Sequence, residues 1–157
     1  MKIPTEALGL AGEYAVAADL CRRGVYCQLT LGNRKKTDIL VVAKDQVFKV
    51  SVKSKQGGSW ARVTGIWEDG DLLVFVDYAG KDKAEPPASP DFYVLDVSAW
   101  KKLVARKSKD DPRAKIDAEN TLVWAASPGK KNGWRGCEIL VKEVEKFKNK
   151  WPDFKPD

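Results

Sequence analysis

Thr37-Asp38, followed after twelve intervening residues by Ser51-Val52-Lys53, is the stretch of this chain whose residue types and spacing could do chemistry. A carboxylate at Asp38 can give an oxygen ligand to a hard divalent cation such as Mg²⁺. A lysine beside it can orient a water, favour its deprotonated form and stabilise charge that develops in a transition state. The combination suits hydrolysis of a phosphodiester, in which a divalent ion neutralises the phosphate and activates water. Histidine is absent from the chain. That excludes a Ser-His-Asp triad, a papain-like Cys-His pair, a histidine acid or base, and any zinc site that needs imidazole. Proton chemistry is left to Asp, Glu, Lys and water.

The elements that must position these residues are legible from alternation. Strands are predicted over about 37–43 and 47–55, joined at Lys44-Asp45-Gln46. With Asp45 and Gln46 as the loop, Ile39 faces Val52, Val41 faces Val50 and Ala43 faces Phe48, an apolar layer. The other face then pairs Val42 with Lys49, Leu40 with Ser51 and Asp38 with Lys53, partners whose Cβ atoms lie roughly 5 Å apart. A one-residue slip would mix the two faces. Before the hairpin, Thr5 to about Arg23 reads as a helix with Thr5 as a cap and Gly24 as the stop. Leu10, Tyr14, Ala17 and Cys21 make one apolar stripe on it, and Glu13 sits at the border of the packing face, within reach of the same sheet edge.

The remaining pattern frames a sheet. A strand is predicted at Val25 to Leu31, then a polar turn over 32–36, and further strands at Leu72 to Tyr78 and Phe92 to Val97. Ser98 is read as the cap of a short helix carrying Trp100, Leu103 and Val104, Lys107 to Asn120 as a charged linker, and Thr121 to Ala126 as a last strand. A final helix is expected from Cys137 to Trp151, since Cys137, Leu140, Val141, Val144, Phe147 and Trp151 recur at helical spacing before Pro152. The expected fold class is α/β (α+β), a mixed central sheet flanked by helices, in one domain spanning 1–157.

Taken together, Gly12-Glu13, Gly24, Asp38 and Ser51-Val52-Lys53-Ser54 resemble the PD-(D/E)XK, or restriction-endonuclease-like, nuclease superfamily, in its Holliday-junction-resolvase-like branch. The resemblance covers roughly residues 7 to 56, and the later stretch matches only as a strand-strand-helix continuation. It implies a restriction-endonuclease-like core, metal ligands at Glu13, Asp38 and position 51, Mg²⁺ or Mn²⁺ as cofactor, and Lys53 as the residue that assists the water. The catalytic set carried over is Glu13, Asp38, Ser51 and Lys53. Position 51 departs from the family, which usually has Glu, Asp or Gln there; a neutral hydroxyl adds no charge to hold a dication.

Each of these residues also has a plainer reading. Asp38 opposite Lys53 is equally described as an exposed cross-strand ion pair, worth roughly 0.2–1 kcal/mol. Glu13 alone reads as a solvated helix residue, and Ser51 as a small spacer. Arg34, Lys35, Lys36, Lys55 and Arg62 flank the site and are the candidate nucleic-acid contacts, although a net charge of +6 from 28 basic and 22 acidic residues is modest and spread along the chain. Lys130-Lys131 with Trp134-Arg135 forms a second candidate loop for stacking on a strand, with a core or rim role the plainer reading of the tryptophan. Cys21, Cys27 and Cys137 lack metal-site spacing and are expected to be buried, reduced thiols.

Three functions follow from these residues: a metal-dependent endonuclease acting on DNA, a catalytically inactive nucleic-acid-binding module on the same fold, and an adaptor that binds protein. A homodimer is an open expectation, since cutting both strands of a duplex wants two sites. No apolar run has membrane length, Glu6 and Glu13 interrupt any signal-like segment, and the chain is expected to be cytoplasmic.

Overall fold

A computed structural model describes residues 2–30 and 37–154. The candidate contacts Arg34, Lys35 and Lys36, and the whole turn over 32–36 that carries them, lie outside the described residues. The chain begins with α1 (Thr5–Arg22), β1 (Cys27–Leu29), β2 (Ile39–Ala43) and β3 (Gln46–Lys55). It continues through β4 (Ser59–Val63), β5 (Asp71–Asp77), β6 (Asp91–Asp96) and α2 (Val97–Asp110). Three short strands follow, β7 (Ala114–Ile116), β8 (Leu122–Trp124) and β9 (Trp134–Arg135), and then β10 (Cys137–Leu140) and α3 (Val141–Val144).

The central sheet runs β1-β2-β3-β5-β6 and is mixed: β3 and β5 are parallel, the other neighbours antiparallel. The expected α+β class and mixed central sheet are therefore observed. Strand β5 is buried along its whole length, which explains its uninterrupted apolar run Leu72 to Val76. Its alternate residues serve two cores. Leu72, Val74 and Val76 join Val50, Val52, Ile39 and Val41 beneath α1, while Leu73 and Phe75 join Trp60, Trp100, Leu103 and Ile139 on the opposite face. No helix among the described residues is long and apolar enough to cross a membrane.

Four details correct the sequence reading. The β2–β3 turn is Lys44-Asp45, both with positive φ, so Ile39 pairs with Val50, Leu40 with Lys49 and Val41 with Phe48. Two left-handed residues match the strand twist of a two-residue hairpin better than the loop expected at Asp45-Gln46. The shift is two residues, so each side chain keeps its face, but Asp38 continues the ladder toward Ser51 rather than Lys53. In α1 the buried residues are Gly12, Val16 and Leu20, and Leu10 and Tyr14 are 52% and 61% exposed. An alanine-rich helix has no dominant apolar face, and the close approach at Gly12 sets its rotation.

The caps and the C-terminal region also differ. Pro4, not Thr5, precedes α1, and Asp96 rather than Ser98 caps α2 by accepting from the Ala99 N–H at 2.7 Å. The supposed linker continues α2 to Asp110 and then forms β7. In place of a helix from Cys137, the chain forms β10, whose buried Cys137 and Ile139 pair with β4, followed by the short α3 and one 3₁₀ turn over Glu145–Phe147. Pairing with a distant strand overrides the helical spacing. Cys137 is buried, whereas Cys27 is half-buried and Cys21 exposed; all three are free.

Candidate functional site at the open end of β3

Strand β2 starts opposite Val50, but β3 runs on to Lys55. The last part of β3 thus has β5 on one side and no β2 partner on the other. Asp38 stands at the point where β2 leaves. Its N–H donates to the Val50 carbonyl at 2.9 Å, and its carbonyl accepts from the Thr30 N–H at 2.9 Å and the Thr30 hydroxyl at 3.3 Å. The Val52 N–H, the first β3 donor left without a ladder partner, donates to Asp38 Oδ2 at 2.6 Å. The carboxylate therefore caps the split edge through a charge-assisted hydrogen bond and is held there. Thr30, which sequence reasoning did not single out, fixes the Asp38 backbone; its Oγ also donates to the Thr37 carbonyl at 2.6 Å.

Glu13 arrives from α1, and Gly12 is what brings it close. A Cβ on Gly12 would lie 1.8 Å from Ser54 Oγ and 3.4 Å from Val52 Cγ1, so with the Ser54 hydroxyl where it is, glycine is what lets the helix rest on this end of β3. Glu13 is half-buried. Its carboxyl is pushed above the ordinary glutamate range, first by burial, then by the Asp38 charge, with Lys53 pulling the other way. Side chains from the residue before β2 and from β3 thus act together on the glutamate that α1 delivers. Lys53 makes no ion pair with a described residue.

Ser51 lies on the same face as Lys53 by alternation but is only 5% exposed and already engaged in an interaction, so it is a tight position beside the site. Lys55 has a different role from the expected phosphate contact. It is 4% exposed, donates to Asp77 Oδ1 at 2.6 Å and to the Gly57 carbonyl at 3.0 Å, and lies 4.7 Å from the Trp60 ring centroid. Arg62 is exposed on β4, with its guanidinium 4.2 Å from the Trp134 ring centroid.

The fit of this site to a divalent ion is partial. Glu13 and Asp38 give two oxygen donors whose mutual repulsion a dication would relieve, which suits Mg²⁺ or Mn²⁺. No cluster of three acidic, cysteine or histidine ligands occurs among the described residues.

No family model matches this chain, and no curated protein matches it. Among solved structures, that of a bacterial homing endonuclease is similar over 62% of this chain and 68% of its own, at 22% sequence identity and a TM-score of 0.43.

Proposed function

We propose that this protein is a metal-dependent endonuclease of the PD-(D/E)XK type that hydrolyses DNA phosphodiester bonds at the open end of β3. The observation that carries the reading is geometric: the Asp38 carboxylate accepts from the Val52 N–H where β2 leaves β3, and Gly12 seats α1 against Ser54 there, bringing Glu13 to where Asp38 and Lys53 both act on its carboxyl. Glu13 and Asp38 are the residues to hold Mg²⁺ or Mn²⁺, which when bound supplies neutralisation of the scissile phosphate and a more acidic water. Lys53, unpaired among the described residues, orients that water and stabilises negative charge as it develops on the phosphate oxygens. The Val52 N–H keeps Asp38 from rotating out of the site. Arg62, Arg34, Lys35 and Lys36 remain the candidate contacts to the nucleic acid that the sequence offers.

A second reading rests on Ser51. With two carboxylates instead of three, the same surface serves as a catalytically inactive nucleic-acid-binding module. Cleavage of supercoiled, linear, branched and single-stranded DNA with Mg²⁺ or Mn²⁺, wild type beside Asp38→Asn and Lys53→Ala, separates the two. Metal-dependent cleavage that falls at least about 100-fold in both variants is the expected outcome, the scale of losing one transition-state contact. Salt-dependent DNA binding without cleavage by folded wild type selects the inactive binder, and cleavage unchanged in both variants places the chemistry elsewhere.

A further inference from the structure

Away from β3, the strand pair β4–β10 carries a bulge. Cys137 pairs with Val63 but Ile139 pairs with Trp60, so Ala61 and Arg62 together face the single residue Glu138. Arg62 takes a left-handed backbone, φ 52°, which is unusual for a residue with a side chain. The packing enforces it: a Cβ on Gly136 would come within 2.9 Å of the Arg62 backbone, so β4 and the turn into β10 are pressed together there. Bulges of this kind re-aim side chains. Here the result is a guanidinium laid over the Trp134 indole.

Trp134 is 47% exposed and lines a pocket of about 470 Å³ between β8 and the loop that follows it. Trp124, Arg113, Lys130 and Asn132 complete the walls that matter. The pocket is pinned from below, because a Cβ on Gly133 would lie 2.1 Å from the Trp124 carbonyl oxygen. Lys130 is exposed and makes no ion pair with a described residue, whereas Arg113 is engaged by Asp111. A flat aromatic wall, a positive charge behind it and an uncommitted lysine at the rim are the parts that receive a base and its phosphate. Bases inside a duplex are stacked on one another, so a concave pocket of this size admits only an unpaired base.

We infer that the pocket walled by Trp134 and Trp124 is a subsite for an unpaired nucleobase of single-stranded nucleic acid, with Arg62 holding the Trp134 indole and Lys130 contacting the adjoining phosphate. This rests on the nucleic-acid-binding reading above, but uses none of its site residues except Arg62.

The test is fluorescence anisotropy of labelled (dT)₁₂ and a matched 12-bp duplex, compared at low salt and then across a salt titration, with the full chain. Trp134→Ala is expected to weaken (dT)₁₂ binding about 10-fold or more, within the range for loss of one base stack, and to leave duplex affinity unchanged within about twofold. Trp134→Phe keeps a ring and should recover most of the loss. Lys130→Glu, at an exposed loop position without an ion pair among the described residues, should weaken (dT)₁₂ binding and flatten its salt dependence. Unchanged (dT)₁₂ affinity in Trp134→Ala and Lys130→Glu overturns the subsite while leaving the nuclease proposal intact. An equal loss on both probes also overturns it, making Trp134 a general surface contact. Wild type that binds neither probe overturns the subsite, and the cleavage assay above decides the nuclease proposal separately.

Discussion

Lys53 and Lys55 stand two residues apart on one face of β3, and their environments have nothing else in common. The difference comes from β5. Lys55 runs beside Asp77 and is closed into a buried pair with it, under the Trp60 ring. Lys53 runs beside Phe75, which offers no charge, and its ammonium is left to act on the Glu13 carboxyl, which also feels Asp38. Lys49, further back on the same face, is paired with Glu68. One lysine of the three is left without an ion pair among the described residues, and it is the one beside two carboxylates. A buried pair that is satisfied holds structure, and a cation held near acids that do not neutralise it is available for chemistry.

The largest expected effect breaks the structural half of that contrast. Lys55→Ala leaves Asp77 buried without its cation and should cost about 3–5 kcal/mol in denaturant unfolding, the scale for severing a buried pair. Lys53→Ala, by contrast, should change stability by no more than about 0.5 kcal/mol while removing cleavage. Similar losses from the two would erase the distinction.

The next effect concerns how α1 delivers Glu13. Gly12→Ala forces a methyl into Ser54 and should cost about 1–3 kcal/mol as overpacking. Ser54 Oγ is buried without a hydrogen-bond partner, so Ser54→Ala alone should be neutral or slightly stabilising. The double variant should recover most of the Gly12→Ala loss, as seen by thermal or chemical denaturation. No recovery would mean that the helix is held off β3 by something other than this hydroxyl.

Ser51→Glu adds a third carboxylate and should raise Mn²⁺ affinity about 10-fold or more by calorimetry, at some loss of stability without metal because position 51 is buried. An unchanged affinity would show that residue 51 does not reach the ion. The smallest effect is on pH dependence. Glu13 has a folded pKa above its unfolded value, so its contribution to stability is greatest below the ordinary glutamate pKa and is lost as pH rises through the raised folded value. Glu13→Gln should abolish that decline.

How much of this was legible depended on whether the deciding contact was local. Alternation in 37–55 gave the hairpin and its two faces, and an even register error left Asp38, Ser51 and Lys53 on the expected side. It could not give the Asp38 carboxylate its partner, the Val52 amide, because that depends on where β2 departs from β3. The fate of Lys55 was hidden for a similar reason: Asp77 is distant in sequence and becomes a neighbour only through the parallel pairing of β3 and β5. The rotation of α1 and the strand at Cys137 were misread because a glycine contact and a strand partner, both remote, outweigh an apolar repeat. Glu13 was placed correctly at the edge of the packing face, since its neighbours Gly12 and Val16 are the buried positions.

The central claim is that Glu13, Asp38 and Lys53 act as one electrostatic unit able to take a divalent cation. It is tested most directly by titrating the Glu13 side-chain carboxyl by ¹³C NMR in the wild type, Asp38→Asn and Lys53→Ala, with and without Mg²⁺. The account predicts a wild-type pKa above the ordinary glutamate value, lowered in Asp38→Asn, raised further in Lys53→Ala, and lowered by Mg²⁺ in the wild type. A Glu13 that titrates identically in all three proteins and ignores Mg²⁺ would contradict it.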